Sequence, residues 1–134
     1  MRYFKGIATL ILLGTLTLSA CSSDNEAADC ERDQHALIAS VESETLTVAV
    51  NYDLPLDVIY GIENSCGAFK KFEIEKNGFD WNIKVINHYT GCECSEVYRN
   101  ETQKLYFRVT QPGTYTLTFN SPDGSAIQKV IIVT

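Results

Sequence analysis

A chain of 134 residues with 17 acidic side chains against 11 basic ones carries a formal net charge of −6. That balance argues against nucleic acid as a partner and against electrostatic adhesion to anionic lipid. With two histidines, and without a Gly-x-Ser-x-Gly elbow, a Gly-rich phosphate loop or a His-Glu-x-x-His pair, the chain carries no local signature of an enzyme.

Met1, Arg2 and Lys5 form a short basic start, followed by an apolar run over residues 6–18 and by Ser19, Ala20 and Cys21. This is the layout of a secretory signal peptide, and the run falls short of the about 20 apolar residues that a spanning helix needs. Residues 1–20 are therefore expected to be removed. The sequence Leu18-Ser19-Ala20-Cys21 resembles the lipobox of bacterial lipoproteins. The resemblance implies a diacylglycerol on the Cys21 thiol and an N-acyl chain such as palmitate on its amine, so that the bilayer itself becomes a partner. Several acyl chains hold firmly where one alone binds marginally. Ser22, in place of an aspartate, points away from inner-membrane retention and toward the outer membrane, with its face left open.

Losing Arg2 and Lys5 from the eleven basic residues would leave nine against seventeen acidic ones, a net charge of about −8. Asp24, Glu26, Asp29, Glu31 and Asp33 crowd a stretch poor in apolar groups. Residues 21–34 are read as a solvated tether, because such a segment cannot offset its own ordering entropy. Residues 35–134 are the right size for one domain, and a chain of that length buries only about two-thirds of its unfolded surface.

Within the domain, the one candidate helical turn lies at residues 35–40. Residues 45–51 alternate, with Leu46, Val48 and Val50 on one face. Residues 54–62 form a strand whose Pro55 suits an edge position. Residues 69–75 lead into Asn77-Gly78, a hairpin signal whose type I′ turn requires positive φ at both residues. Residues 81–89 return, with Trp81, Ile83 and Val85 sharing a parity. Residues 105–110, a turn at Gln111-Pro112-Gly113, residues 114–120 with Tyr115, Leu117 and Phe119 together, a turn at 121–124, and residues 127–133 complete the chain. Strands spaced in this way predict an all-β fold, a single antiparallel β-sandwich, with a small β-barrel as the alternative.

Residues 112–119, Pro-Gly-Thr-Tyr-Thr-Leu-Thr-Phe, resemble the penultimate strand of bacterial immunoglobulin-like domains. The resemblance implies that Tyr115 closes a corner by bonding upstream backbone. It departs from antibody-type domains where Leu117 replaces the second inter-sheet cysteine, and fold alone would not fix function.

Outside the cytosol, thiols oxidise and small domains use disulfides as staples. With Cys21 set aside for lipid, Cys30, Cys66, Cys92 and Cys94 remain, and four cysteines permit three pairings. A bond between Cys92 and Cys94 would close a strained ring, so each takes its own partner. Cys66–Cys94 with Cys30–Cys92 is preferred over the crossed alternative, which stays open. A rival reading places a metal on Cys66, His88, Cys92 and Cys94, a Cys₃His set suited to Zn²⁺ but without the usual knuckle spacing.

Glu73 and Glu75 read as the solvated face of a strand, and Trp81, Phe69 and Phe72 as core. The expectation is thus a lipid-tethered, non-catalytic binding module without a cofactor. Its ligand would be a protein or glycan met by a rim formed from residues 64–68 and 89–97. A small envelope protease inhibitor presenting residues 90–96 is the alternative.

Overall fold

The computed structural model describes residues 30–134, so the signal segment, the lipobox with Cys21 and most of the expected tether lie outside the described residues. Nine strands make up the described chain: β1 (Arg32–His35), β2 (Ile38–Glu42), β3 (Thr47–Val48), β4 (Leu54–Ile62), β5 (Gly67–Asn77), β6 (Asp80–Tyr89), β7 (Arg99–Phe107), β8 (Gly113–Asn120) and β9 (Ala126–Val133). They form two sheets, one ordered β2-β4-β7 and the other β1-β6-β8-β9-β3 with β5 against β6. Two separate sheets make a β-sandwich, as expected, and not a closed barrel.

Period-two patterning builds the interior. Leu54, Leu56, Val58, Tyr60 and Ile62 of β4 face Trp81, Ile83, Val85 and Tyr89 of β6, Tyr115, Leu117 and Phe119 of β8, and Ile131 and Val133 of β9. Fully burying a side chain of this size contributes about 1.5–3 kcal/mol, and these positions carry most of the stability. At one end Trp81, Phe107 and Tyr115 pack ring against ring, with centroids 5.1 and 5.3 Å from Phe107. The Tyr115 hydroxyl donates to the Gln111 carbonyl at 2.8 Å, the corner bond that the immunoglobulin-like resemblance implies.

Several local expectations change. Residues 35–40 hold no helix: β1 ends at His35, Ala36 N–H donates to Val85, and the chain crosses to the other sheet to start β2. The ordered domain also begins before residue 35, since Arg32, Asp33 and Gln34 pair with Tyr89, His88 and Asn87. Residues 45–51 shorten to the two-residue β3. The chain turns at Asn51, whose φ is 63°, and Val50 and Asn51 donate to Thr134 and Val109.

Pro55 lies in the central strand of its sheet. β2 reaches only as far as Asp57, so Pro55 occupies a stretch of β4 flanked by β7 alone. The β5–β6 hairpin turns one residue later than expected. Asn77 pairs with Asp80, and of the central residues Gly78 and Phe79 only Gly78 has positive φ, at 62°, which is the pattern of a type II′ turn.

Two ladders are parallel, β6 with β8 and β3 with β9, where the sequence predicted antiparallel pairing alone. The chain leaves β6 for β7 in the opposite sheet and comes back, and two crossings bring β8 beside β6 in the same direction. β8 covers only Asp80–Ile83 of that edge, and β1 takes over from Ile86 to Tyr89. Along the edge of β5 that no strand covers among the described residues, Lys70, Lys71 and Lys76 and an irregularity between Phe69 and Lys71 hinder pairing with another chain.

Candidate functional site

At the end of the sandwich away from the Trp81 cluster, the connection from β4 to β5 meets the long connection from β6 to β7. Cys30 is bonded to Cys92 and Cys66 to Cys94, with Cα separations of 5.0 and 5.6 Å. This is the preferred pairing of the sequence reading. One loop is thereby tied both to the start of β1 and to the β4–β5 connection.

Hydrogen bonds complete the clamp. Ser65 N–H donates to Ser95 and Ser95 N–H to the Ser65 hydroxyl, at 3.0 and 2.9 Å. Arg99 donates from Nη1 to the Asn64 carbonyl and from Nη2 to the Gly67 carbonyl, at 3.0 and 2.9 Å, while its Nε holds Glu101 at 2.9 Å. A loop without strand partners must satisfy its backbone groups in this way or leave them to water. The Arg99 guanidinium thus joins the two ends of the β4–β5 connection, sharing the Asn64 carbonyl with the Gly67 N–H.

With their sulfurs bonded pairwise, Cys66, Cys92 and Cys94 offer no thiolate to a metal. His88 is turned elsewhere: its Nδ1 donates to Asp33 at 2.7 Å, across the β1–β6 register. Among the described residues, no group of three or more His, Cys, Asp or Glu side chains is arranged to hold a metal ion. Asp33 also accepts from Lys70. That bond first, and the one from His88 next, hold its carboxyl below the usual carboxylate range. Glu73 and Glu75 lie exposed on β5, and Phe69 and Phe72 pack against the core, as expected of a solvated face and its inner counterpart.

Beside the crosslinked loops lies a cleft of about 380 Å³ lined by Gln34, His35, Ala36 and Leu37 from the β1–β2 crossing, by Gly61 and Glu63, by Tyr89 and Tyr98, and by Pro122 and Asp123 from the β8–β9 turn. Tyr98 is 57% exposed and lies against Gly61, where the ring occupies the space that a Cβ would need. Tyr89 is buried, and its hydroxyl accepts the Glu63 N–H at 3.0 Å. Glu63 Oε1 accepts from Gln34 Nε2 at 2.5 Å, and His35 Nε2 donates to the Asn120 carbonyl at 2.7 Å. Below them Asn87 donates to the Gly61 carbonyl at 2.9 Å, and its buried Oδ1 finds no donor among the described residues.

Of the expected rim, residues 64–68 and 89–97 do come together. The sequence reading missed Tyr98, Gly61, Glu63, Asn87 and Arg99. None stands in a motif, and only the glycine within an apolar strand could have suggested a close approach.

The fold and its bridged end define a small, disulfide-crosslinked β-sandwich domain that presents rigid loops around a shallow cleft. Residues 56–130 match the family described as the ORF11 beta-sandwich domain, and this chain belongs to that family. No curated protein and no solved structure matches the chain.

Proposed function

We propose that the protein is a lipid-anchored, non-catalytic binding module of the bacterial cell envelope, held through Cys21 at the outer membrane and meeting its ligand at the bridged end. The observation that carries the binding role is the pre-organisation of that end. Two disulfides and the Arg99 fork fix two loops before any ligand arrives, so little ordering entropy is left to lose on binding. The cleft beside Tyr98 adds a concave surface with aromatic walls and a few polar groups, the usual character of a recognition site.

The anchoring part of the proposal rests on the lipobox. The bridges fit it, because disulfides persist outside the cytosol. Intact mass with and without reductant reports acyl chains on Cys21 and the number of bridges together. The wild type should sediment with membranes and Cys21→Ala should be released. Equal partition of the two proteins would dispose of the anchor.

The placing of both Cys92 and Cys94 in one exposed loop favours, as a second reading, a small envelope protease inhibitor acting through residues 90–96. Near-stoichiometric inhibition of an extracellular protease would select that reading. Its absence across a panel would leave the binding module.

A further inference from the structure

We infer that the cleft beside Tyr98 receives a basic side chain, lysine or arginine, from a polypeptide partner. The inference deepens the binding-module reading and rests on it.

Three features of the cleft agree on this ligand. Its walls are apolar or aromatic, from Leu37, Tyr89 and Tyr98, and suit the aliphatic stem of a long cationic side chain. Two carboxylates, Glu63 and Asp123, stand among the lining residues, whereas no lysine or arginine does. Neither carboxylate forms an ion pair with a lysine or arginine among the described residues. Glu63 accepts from Gln34, and Asp123 accepts from Ser125 N–H and hydroxyl at 2.9 and 2.6 Å.

The other clefts show what is missing. One combines Glu42, Glu44 and Asp57 with Lys104, and that lysine binds Asp57 at 2.7 Å. Another sets Lys76 and Arg108 beside Trp81 and Tyr115, with Lys76 Nζ 4.2 Å from the Trp81 ring centre. Each supplies its own cation to its acidic or aromatic groups. The cleft beside Tyr98 has carboxylates and rings and no such cation in its lining. Arg32, which is not a lining residue, lies 4.7 Å from the Tyr89 ring centre and takes that face, so Tyr98 is the ring left to an incoming cation. A chain with an acidic surplus also attracts a basic partner at long range.

The test uses the full chain in detergent micelles, observed by amide NMR, with four peptides of sequence Gly-Ser-Gly-X-Gly-Ser-Gly where X is Arg, Lys, norleucine or Glu, and with a neutral chitin-type oligosaccharide. The Arg and Lys peptides should shift Gly61, Glu63, Tyr98 and the Asn87 side-chain amide saturably, while norleucine binds about fivefold more weakly or less and Glu not at all. Exposed charge pairs contribute modestly, so Glu63→Gln and Asp123→Asn should each cost about two- to fivefold in affinity and together erase the preference over norleucine. Gly61→Ala should displace the Tyr98 ring and weaken all binding without unfolding β4, checked by the retained β4–β7 amide pattern.

Equal binding of norleucine and lysine, or an unchanged preference in the double variant, overturns the assignment of a cation and leaves the binding module standing. A response to the oligosaccharide alone does the same. If none of the probes moves the bridged end, the cation assignment fails, and the binding role of that end loses its support with it.

Discussion

Removing the Cys30–Cys92 bridge should cost more stability than removing Cys66–Cys94, and it should do so in a particular place. The two bonds close loops of 62 and 28 residues. Taken singly, chain entropy gives about 4.3 and about 3.6 kcal/mol. The loops interlock, however. With Cys66–Cys94 intact, Cys30 reaches Cys92 by the 36 residues to Cys66, the bridge, and the two residues back from Cys94, a route of ~38 residues instead of 62. The Cys30→Ser, Cys92→Ser variant should therefore lose about 3.9 kcal/mol, about 0.7 kcal/mol more than the Cys66→Ser, Cys94→Ser variant, because the cost of closing both loops does not depend on the order of closing.

Location separates the two variants better than size. β1 is four residues long and is separated from Cys30 by one residue, so without its bridge it is held by noncovalent contacts alone, among them its ladder to β6, the Asp33 contacts, and the bonds from Gln34 to Glu63 and from His35 to the Asn120 carbonyl. Guanidinium melts of both variants, with the remaining bridge verified by mass after alkylation, give the free energies. Both should also show a steeper denaturant dependence, as the unfolded chain expands. Native-state hydrogen exchange should show early loss of protection at residues 32–36 in the first variant alone. If β1 stays protected without Cys30–Cys92, or if that variant is the more stable of the two by over about 1 kcal/mol, the reasoning from loop closure is wrong.

Other expectations follow from single contacts. Burial, and then the nearby Glu101 carboxylate, push the Tyr60 hydroxyl up to about 12, against an ordinary value of 10.0. The unfolded chain gives up this proton first as the solution becomes more alkaline. The contribution is therefore fully present below about pH 10 and is lost between about pH 10 and about pH 12, to a total of up to about 3 kcal/mol. Urea melts across that window should show the fall in wild type and a flatter profile in Tyr60→Phe; parallel profiles would rule out Tyr60 as the source. Tyr115→Phe removes the bond to Gln111 and should cost about 1–2 kcal/mol, while Tyr106→Phe, at a ring that is 62% exposed, should cost almost nothing in the same melts. Gly78→Ala meets open space but must adopt a φ of 62°, so thermal melts should report a loss of about 1 kcal/mol from backbone strain alone. Acidification should loosen β1 as Asp33 takes up a proton, because a depressed carboxyl stabilises only while ionised. Protection of the residue 32–36 amides, taken relative to the intrinsic exchange rate at each pH, should fall as pH falls through the carboxylate range.

Much of this fold could be read from residue pattern, and the failures have identifiable causes. β4 spans the residues expected, and β6 and β8 show the predicted faces, because a strand with one side buried writes its register into the sequence. β7 was visible only from Leu105 onward. Its first half, residues 99–104, carries Arg99 and Glu101 at half-buried positions that an apolar pattern would reserve for valine or leucine. Those two charges belong to the loop clamp, so the requirement that hid the strand from hydrophobic periodicity is the one that built the site. The parallel ladders were invisible for another reason: strand patterning records faces and not directions. The cysteine pairing was narrowed by the geometry of the residue 92–94 step. The cleft left no trace, since its lining comes from five separated segments.

The place where Cys92 receives the start of β1 also decides how the domain would take a pull. A strand hauled from its end unzips one hydrogen bond after another, and a four-residue ladder would yield early. Tension arriving along the chain ahead of Cys30 passes instead through covalent sulfur to the loop behind β6, and from there by Cys94 to the root of β5. Mechanical load thus bypasses the weakest ladder and is shared between two strands of the larger sheet.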